Sequence, residues 1–323
     1  MSLYRINKLL YNIHCLMKVY LNKINESWVV DRFRDEWENF NSDISTSKIK
    51  EADIVWIFTP WLWNNIKKRH LKNKKVLCSI YHIDFDKFDD KDLKEFHERD
   101  QYVDIYHVIS IKTKNQLEQL TNKKIVSIPF WVNQNIWFQI KEKENLRKKY
   151  HLDEDKFLIG SFQRDTEGSD LTSPKLIKGP DQFIEVVKKL YLKNNKIEIV
   201  LTGKRRQYMM KELDAAGIKY NYYEMANFNE LNELYNLLDL YIVSSRIEGG
   251  PQAIMECAIT KTPIISTDVG IASEILSKDS IYNMNNFINA KPNIEHAFKK
   301  SKDYTIPKGF EKYRNLLTEV YES

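Results

Sequence analysis

Short apolar runs alternate with longer amphipathic stretches through almost all of the 323 residues. This pattern narrows the fold more than any other feature. Continuously apolar strands are those buried on both faces of a parallel sheet, and each parallel neighbour needs a crossover long enough to hold a helix. In the first half the pattern predicts strands at 18–21, 53–58, 75–81, 104–110 and 124–128, with helices at 28–40, 89–99 and 112–120. In the second half it predicts strands at 157–162, 197–202, 240–244 and 263–266, with helices at 180–192, 209–216, 229–238 and 251–259. A last helix is expected over 310–321. The fold class is α/β, with two doubly wound parallel sheets. The expected order is an extension (1–16), a first sheet domain (17–135), a link (136–155) containing the charged run KEKENLRKKY, a second sheet domain (156–305) and a closing helix (306–323).

A hydrophobic content of 42% supports a sizeable core, and the length suits two domains. Mean hydropathy is −0.53, no apolar run reaches the ~18 residues of a membrane span, and the first residues lack the pattern of a secretory signal. A cytoplasmic protein is therefore expected. Residues 1–16 form an amphipathic, basic stretch, with Leu3, Ile6, Leu9, Leu10 and Ile13 against Arg5 and Lys8. Such a stretch can rest peripherally on a membrane surface or pack as a helix on the first domain. Cys15, Cys78 and Cys257 are far apart and set among apolar neighbours, as buried thiols are; no metal site is expected from them. The first 150 residues carry a net charge of +7 and the remainder −2, an imbalance that a lysine-rich exterior accounts for.

All nine glycines lie at or beyond Gly160. The first domain therefore lacks the glycine-rich turn with which a dinucleotide fold meets a pyrophosphate, and NAD or FAD is excluded there. In the second domain the glycines punctuate strand ends, where open parallel sheets bind ligands. Those ends are 161–164, 202–204, 244–250 and 267–268. Gly203-Lys204 lacks the upstream glycine and downstream Ser/Thr of an ATP phosphate loop.

The third of these ends reads SRIEGGPQAIME, from Ser245 to Glu256. Gly249 and Gly250 allow a sharp turn and close approach of backbone to a ligand, and Pro251 suits the first turn of the following helix. The helix start then offers free N–H groups and a positive dipole end to a phosphate. A carboxylate beside a phosphate is repelled by it, so Glu248 is expected to meet hydroxyl groups or a developing positive charge. Gln252 and Glu256 are expected on the helix flank, where a carboxylate can accept ribose hydroxyls.

The segment DLYIVSSRIEGGPQAIMECAITKTPIISTDVG resembles the donor-binding segment of retaining glycosyltransferases of the GT-B fold, in particular family 4, whose signature is two glutamates separated by seven residues. Upstream, IGSFQR and LIKGPDQFIEVV resemble that family's strand ending in arginine and its Lys-Gly helix start. The resemblance implies two Rossmann-like doubly wound domains facing across a cleft, with Arg164 and Lys178 on the donor diphosphate. The longer gap between them, DTEGSDLTSPKL, makes Lys175 a rival to Lys178. In the first half VLCSIYHIDFD resembles the strand ending in a histidine near the sugar, which points to His82; His107 is expected to be a satisfied sheet histidine.

What the resemblance implies is a hexosyltransferase-type enzyme with a nucleoside diphosphate sugar as its donor substrate, without a metal or cofactor. Glu248 and His82 would be catalytic; Arg164, Lys178, Gly249, Gly250, Pro251, Gln252 and Glu256 would bind the donor. The acceptor hydroxyl, on a glycan, a lipid-linked or a small molecule, is not fixed by the sequence, nor is the oligomeric state. Two other activities stay open: a nucleotide-sugar 2-epimerase of the same fold, and a DNA-modifying glucosyltransferase, which would use the basic first half and the strip IFTPWLWNNIKKRH for stacking and backbone contact. Sugar transfer is preferred over both, and nucleic acid is not an expected partner.

Overall fold

The structure is a computed structural model that describes residues 17–23 and 29–323. The extension 1–16 with its expected membrane contact, Cys15, most of KINES and Trp28 lie outside the described residues. The chain divides into two compact units, one running up to Phe130 and completed by Pro307–Ser323, the other spanning Trp131–Ile306.

The first unit is built on five parallel strands, β1 (Val19–Leu21), β2 (Ile54–Ile57), β3 (Lys75–Ile80), β4 (Ile105–Val108) and β5 (Lys124–Ser127), in the spatial order β1-β2-β3-β4-β5. A parallel bridge between Val19 and Ser45 adds a minimal strand outside β1. The helix Val29–Phe40 therefore leads outward from β1, while the crossovers after β2 lead the other way, and the order reverses between β1 and β2. The two faces are covered accordingly. Trp56 meets Trp37 of the helix Val29–Phe40 at 5.2 Å and Tyr313 of the helix Lys308–Glu322 at 5.6 Å. On the opposite face Tyr106, in register with Ile57 through Cys78, stacks on Phe96 of the helix Asp90–Asp100 at 5.9 Å. At the reversal Asn22 and Thr59 exchange hydrogen bonds, Nδ2 to carbonyl at 3.0 Å and amide to Oδ1 at 2.9 Å, which joins the loops after β1 and β2.

His107 is a satisfied sheet histidine. Trp56 Nε1 donates to Ser79 Oγ at 2.8 Å, Ser79 Oγ lies 2.9 Å from His107 Nδ1, and His107 Nε2 lies 2.8 Å from the Ile128 carbonyl. A carbonyl only accepts, so Nε2 carries the proton and Nδ1 takes the serine hydroxyl. Burial holds this imidazole down at about 4.

The second unit has six parallel strands, β6 (Phe157–Ser161), β7 (Ile197–Thr202), β8 (Tyr220–Tyr223), β9 (Leu240–Val243), β10 (Ile264–Thr267) and β11 (Ile281–Tyr282), in the order β11-β10-β9-β6-β7-β8. The chain winds one way from β6 to β8 and the other way from β9 to β11, so the reversal falls between β6 and β9, paired through Gly160 and Tyr241. The stretch read as a link packs into this unit: Trp137, Leu146 and Leu152 belong to its core, and Arg147 is buried with Nη2 on Asp239 Oδ2 at 2.5 Å. Two edge strands escaped the sequence reading. β8 is half-exposed throughout and β11 is two residues long, so neither shows a buried apolar run. Cys78 and Cys257 are buried free thiols. No described helix is long and apolar enough to cross a membrane.

Candidate functional site

Where β6 and β9 part, their loops leave the carboxyl ends of neighbouring parallel strands in opposite directions, and such a reversal opens a crevice in a parallel sheet. The β6 loop carries Gln163 and Arg164. It then runs through a small hairpin bridged at Thr166 and Pro174 to the single turn Leu176–Lys178 and the helix Pro180–Lys193. The β9 loop carries Ser244 to Gly250 and enters the helix Gln252–Thr260.

Gly179 fixes how the two loops meet. Its φ of +60° is left-handed, and a Cβ there would lie 1.8 Å from the Ser244 carbonyl oxygen. Only glycine lets the start of the helix Pro180–Lys193 come so close to the end of β9. Gln163 Nε2 adds a bond to the Lys178 carbonyl at 2.8 Å. With the backbones so joined, the Lys178 ammonium forms an ion pair with Glu248 Oε1. Ser245 Oγ lies 3.3 Å from the same carboxylate oxygen, and the Ser245 carbonyl accepts from Thr267 Oγ1 at 2.6 Å, which ties in the end of β10.

Lys175 is half-buried beside this pair. Burial first, and then the charges of Arg164 and Lys178, hold its ammonium below the usual lysine range. Two neighbouring cations thus disfavour the charged form of Lys175, an arrangement that an anion relieves. Arg164 is exposed and its Nε donates to the Thr166 carbonyl at 2.6 Å. The loop that carries it rests on a buried pair: Arg206 Nη2 donates to the Ser161 carbonyl at 2.8 Å, and its Nε lies 3.5 Å from Asp165 Oδ2. Burial lifts the Asp165 carboxyl to about 6 in spite of that neighbouring guanidinium.

Pro251 stands at the N-cap, with φ −55° and ψ 116°, rather than within the first turn, and Gln252 opens the helix. Gln252 Nε2 turns back to the Gly250 carbonyl at 3.4 Å. Left-handed φ values fall at Gly168, Gly179, Gly203, Gly217 and Gly270 among the described glycines, and of these Gly270 lies opposite the Gly249–Gly250 pair. At Gly270, φ +48°, a Cβ would stand 2.0 Å from the Gly249 carbonyl oxygen.

Glu256 differs most from its expected setting. The sequence places it on a helix flank, but the whole of Ile254–Thr260 is buried, because the helices Phe228–Leu237 and Ile294–Ser301 both pack on this one. Only 6% of Glu256 is exposed, and its Oε2 accepts from the Tyr235 hydroxyl at 2.8 Å. Burial and the nearby Glu256 charge hold the Tyr235 phenol well above its usual range, so it stays a donor.

The structure thus gathers Arg164, Lys175, Lys178, Glu248 and the Gly249–Gln252 turn at one strand reversal, and sets Glu256 inside the helix that follows. His82 belongs to the first unit, exposed in the loop after β3. Gln163, Ser245, Tyr235 and the spacing role of Gly179 were missed from the sequence. The signal for Gly179 was present in the Lys-Gly-Pro string that opens a helix; the other three are ordinary polar residues that only tertiary proximity singles out.

A family model described as "Glycosyl transferases group 1" matches residues 142–305. No curated protein matches the chain by sequence. Among solved structures, HepE of Anabaena in complex with UDP and glucose is similar at 11% identity and a TM-score of 0.71, over 94% of this chain and 100% of that one. Sucrose-phosphate synthase of Thermosynechococcus elongatus is similar at 11% identity and a TM-score of 0.66, over 93% and 80%. A glycosyltransferase of Rickettsia africae follows at 16% identity and a TM-score of 0.62, over 94% and 84%. The two parallel-sheet α/β units match GT-B glycosyltransferase structures. With more than half its length matched by the family model, across the unit that holds the paired Lys178 and Glu248, the chain belongs to the glycosyl transferases group 1 family.

Proposed function

We propose that the chain transfers a sugar from a nucleoside diphosphate sugar to an acceptor hydroxyl, with retention at the anomeric carbon, in the manner of family 4. The observation that carries this reading is the ion pair between Lys178 and Glu248 at the β6–β9 reversal, beside Arg164 and Lys175. It puts phosphate-binding charge next to a carboxylate suited to sugar hydroxyls.

The bond between the anomeric carbon and the diphosphate oxygen breaks, negative charge grows on the departing diphosphate, and positive charge grows on the sugar ring. Arg164, Lys178, Lys175 and the helix start at Gly250–Gln252 stabilise the first charge by fixed electrostatics, without a metal. Glu248 orders the sugar hydroxyls and stabilises the ring. Glu256, held by Tyr235, takes the ribose. The acceptor oxygen forms the new bond on the face the diphosphate leaves, and a leaving phosphate oxygen takes its proton. His82 is the residue we carry over from the first unit for contact with the transferred sugar.

The test is a panel of nucleoside diphosphates and their sugars, read by thermal shift and by donor consumption, since a ligand that binds only the folded state raises its melting point. Binding, donor turnover that withstands a chelator, and its loss in Glu248→Ala are expected. A wild-type chain that binds none of the panel, or a Glu248→Ala variant that turns over donor at the wild-type rate, overturns the reading.

A further inference from the structure

Arg246 lies between the serines that end β9 and Glu248, and its guanidinium is wholly committed to one short segment of the chain. Nη1 donates to the Leu176 carbonyl at 2.8 Å and to Asp181 Oδ1 at 2.7 Å, and Nη2 donates to Asp181 Oδ2 at 2.6 Å. With the Gln182 carboxamide turned so that its oxygen faces the guanidinium, that oxygen accepts from Nε at 2.9 Å and from Nη2 at 3.1 Å. Every guanidinium N–H then has an acceptor. The backbone continues the grip: the amides of Arg246 and Ile247 both donate to the Ile177 carbonyl, at 2.9 and 3.2 Å.

These bonds bracket the site. Lys178 and Gly179 lie between the gripped Ile177 and Asp181, and Glu248 lies just past Arg246. Asp181 sits in the first turn of the helix Pro180–Lys193, so the loop after β9 is docked on the start of a helix. The fork-to-fork pairing of guanidinium and carboxylate fixes orientation as well as distance. With 40% of the Arg246 side chain and 34% of the Asp181 side chain exposed, solvent screens the pair, and what its bidentate geometry retains is local to the two segments it joins. The guanidinium has no donor to spare for a phosphate.

We infer that Arg246 and Asp181 are positioning residues of the donor site, a clamp that sets the segment bearing Lys178 in register with the loop bearing Glu248. The inference rests on the donor-site reading proposed above. Loosening the clamp leaves both charged groups present but mismatched, so the loss of nucleotide affinity passes through Lys178, and the loss of turnover through Glu248 as well, and not through the fold.

The experiment compares wild type with Arg246→Ala, Arg246→Lys, Asp181→Asn, Lys178→Ala and the double variant Arg246→Ala/Lys178→Ala. Apo melting temperature, affinity for the best-bound of UDP, GDP, ADP and dTDP, and donor turnover are measured. The clamp predicts near wild-type melting of the apo forms and nucleotide affinity lowered about tenfold by Arg246→Ala and by Asp181→Asn. It also predicts partial recovery in Arg246→Lys, and little further loss when Arg246→Ala is added to Lys178→Ala. Wild-type affinity in Arg246→Ala, or full additivity with Lys178→Ala, overturns it. If Arg246→Ala does not fold, Asp181→Asn and Arg246→Lys decide by the same affinity measurement. A wild-type chain that binds none of the four nucleotides defeats the donor-site reading itself.

Discussion

Lys178 and Glu248 stand on loops that leave neighbouring parallel strands in opposite directions, and their side chains meet as an ion pair. The contact has a consequence for ligand binding. A diphosphate that takes Lys178 competes with Glu248 for its ammonium, and that carboxylate is the group assigned to the sugar. The Glu248 charge therefore opposes a bare nucleoside diphosphate but serves the sugar nucleotide. Glu248→Gln should bind the nucleoside diphosphate more tightly than wild type, while sugar transfer falls by about 100-fold or more, the scale of losing one preorganised group at a developing charge. Calorimetry of the nucleotide alongside turnover checks this. Parallel loss of both would show that Glu248 merely holds the site together.

The close approach at Gly179 separates two reasons for a glycine. Gly179 and Gly217 both have left-handed φ, +60° and +63°, but a Cβ at Gly217 meets nothing within 4 Å while one at Gly179 meets the Ser244 carbonyl oxygen at 1.8 Å. Gly217→Ala should cost about 1–2 kcal/mol, the left-handed penalty alone. Gly179→Ala adds displacement of backbone and should cost upward of about 3 kcal/mol, with loss of nucleotide-induced stabilisation. Equal melting temperatures for the two variants would remove the argument that Gly179 sets the loop spacing.

Much of this was legible in the sequence, for a specific reason. Strands buried on both faces are largely apolar, so β2 and β9 announce themselves, β3 and β7 do so in spite of Ser79 and Glu198, and the Gly-Gly-Pro turn after β9 marks where the crevice is expected. The burial of Glu256 was not legible. An amphipathic pattern shows one covered face, and a second layer of helices leaves no mark on the residues it covers until it is placed. The clamp of Arg246 on Asp181 was equally hidden, since each of the two reads as a surface charge until β9 and the helix Pro180–Lys193 are set side by side. Lys175 shows the intermediate case. The sequence offered it as a rival to Lys178, and the structure places both within reach of the Glu248 charge.

Tyr235 gives Glu256 a buried hydrogen bond at 2.8 Å. Removing one donor from a buried carboxylate costs about 1–3 kcal/mol, more for a charged group. If Glu256 takes the ribose, the cost appears in recognition of that sugar. Tyr235→Phe should weaken binding of a ribonucleoside diphosphate and shrink its advantage over the 2′-deoxy form. Binding constants for the matched pair of nucleotides provide the check. An unchanged ratio between them would place Glu256 away from the ribose and leave Tyr235 a purely structural partner.

His107 makes stability depend on pH with a definite sign. Its ordinary value of 6.5 is depressed by burial to about 4 in the folded chain, so between these values the unfolded chain holds the proton more readily than the folded one. The neutral imidazole's contribution is complete above 6.5 and is lost as the pH falls through about 4, a change of about 3 kcal/mol at full extent. Asp165 titrates in an overlapping range with the opposite sign. Its carboxyl is raised to about 6, so its contribution is complete below its ordinary value and is lost as the pH rises through about 6. The wild-type curve alone therefore mixes two slopes. The difference between wild type and His107→Phe isolates one of them: the variant starts less stable, having lost the bonds to Ser79 and Ile128, and the gap narrows as the solution is acidified from 6.5 towards 4. Chemical denaturation at a series of pH values measures that gap. A gap of constant size across the window would mean that His107 already carries its proton in the fold, contrary to the bonding in which Ser79 donates to its Nδ1.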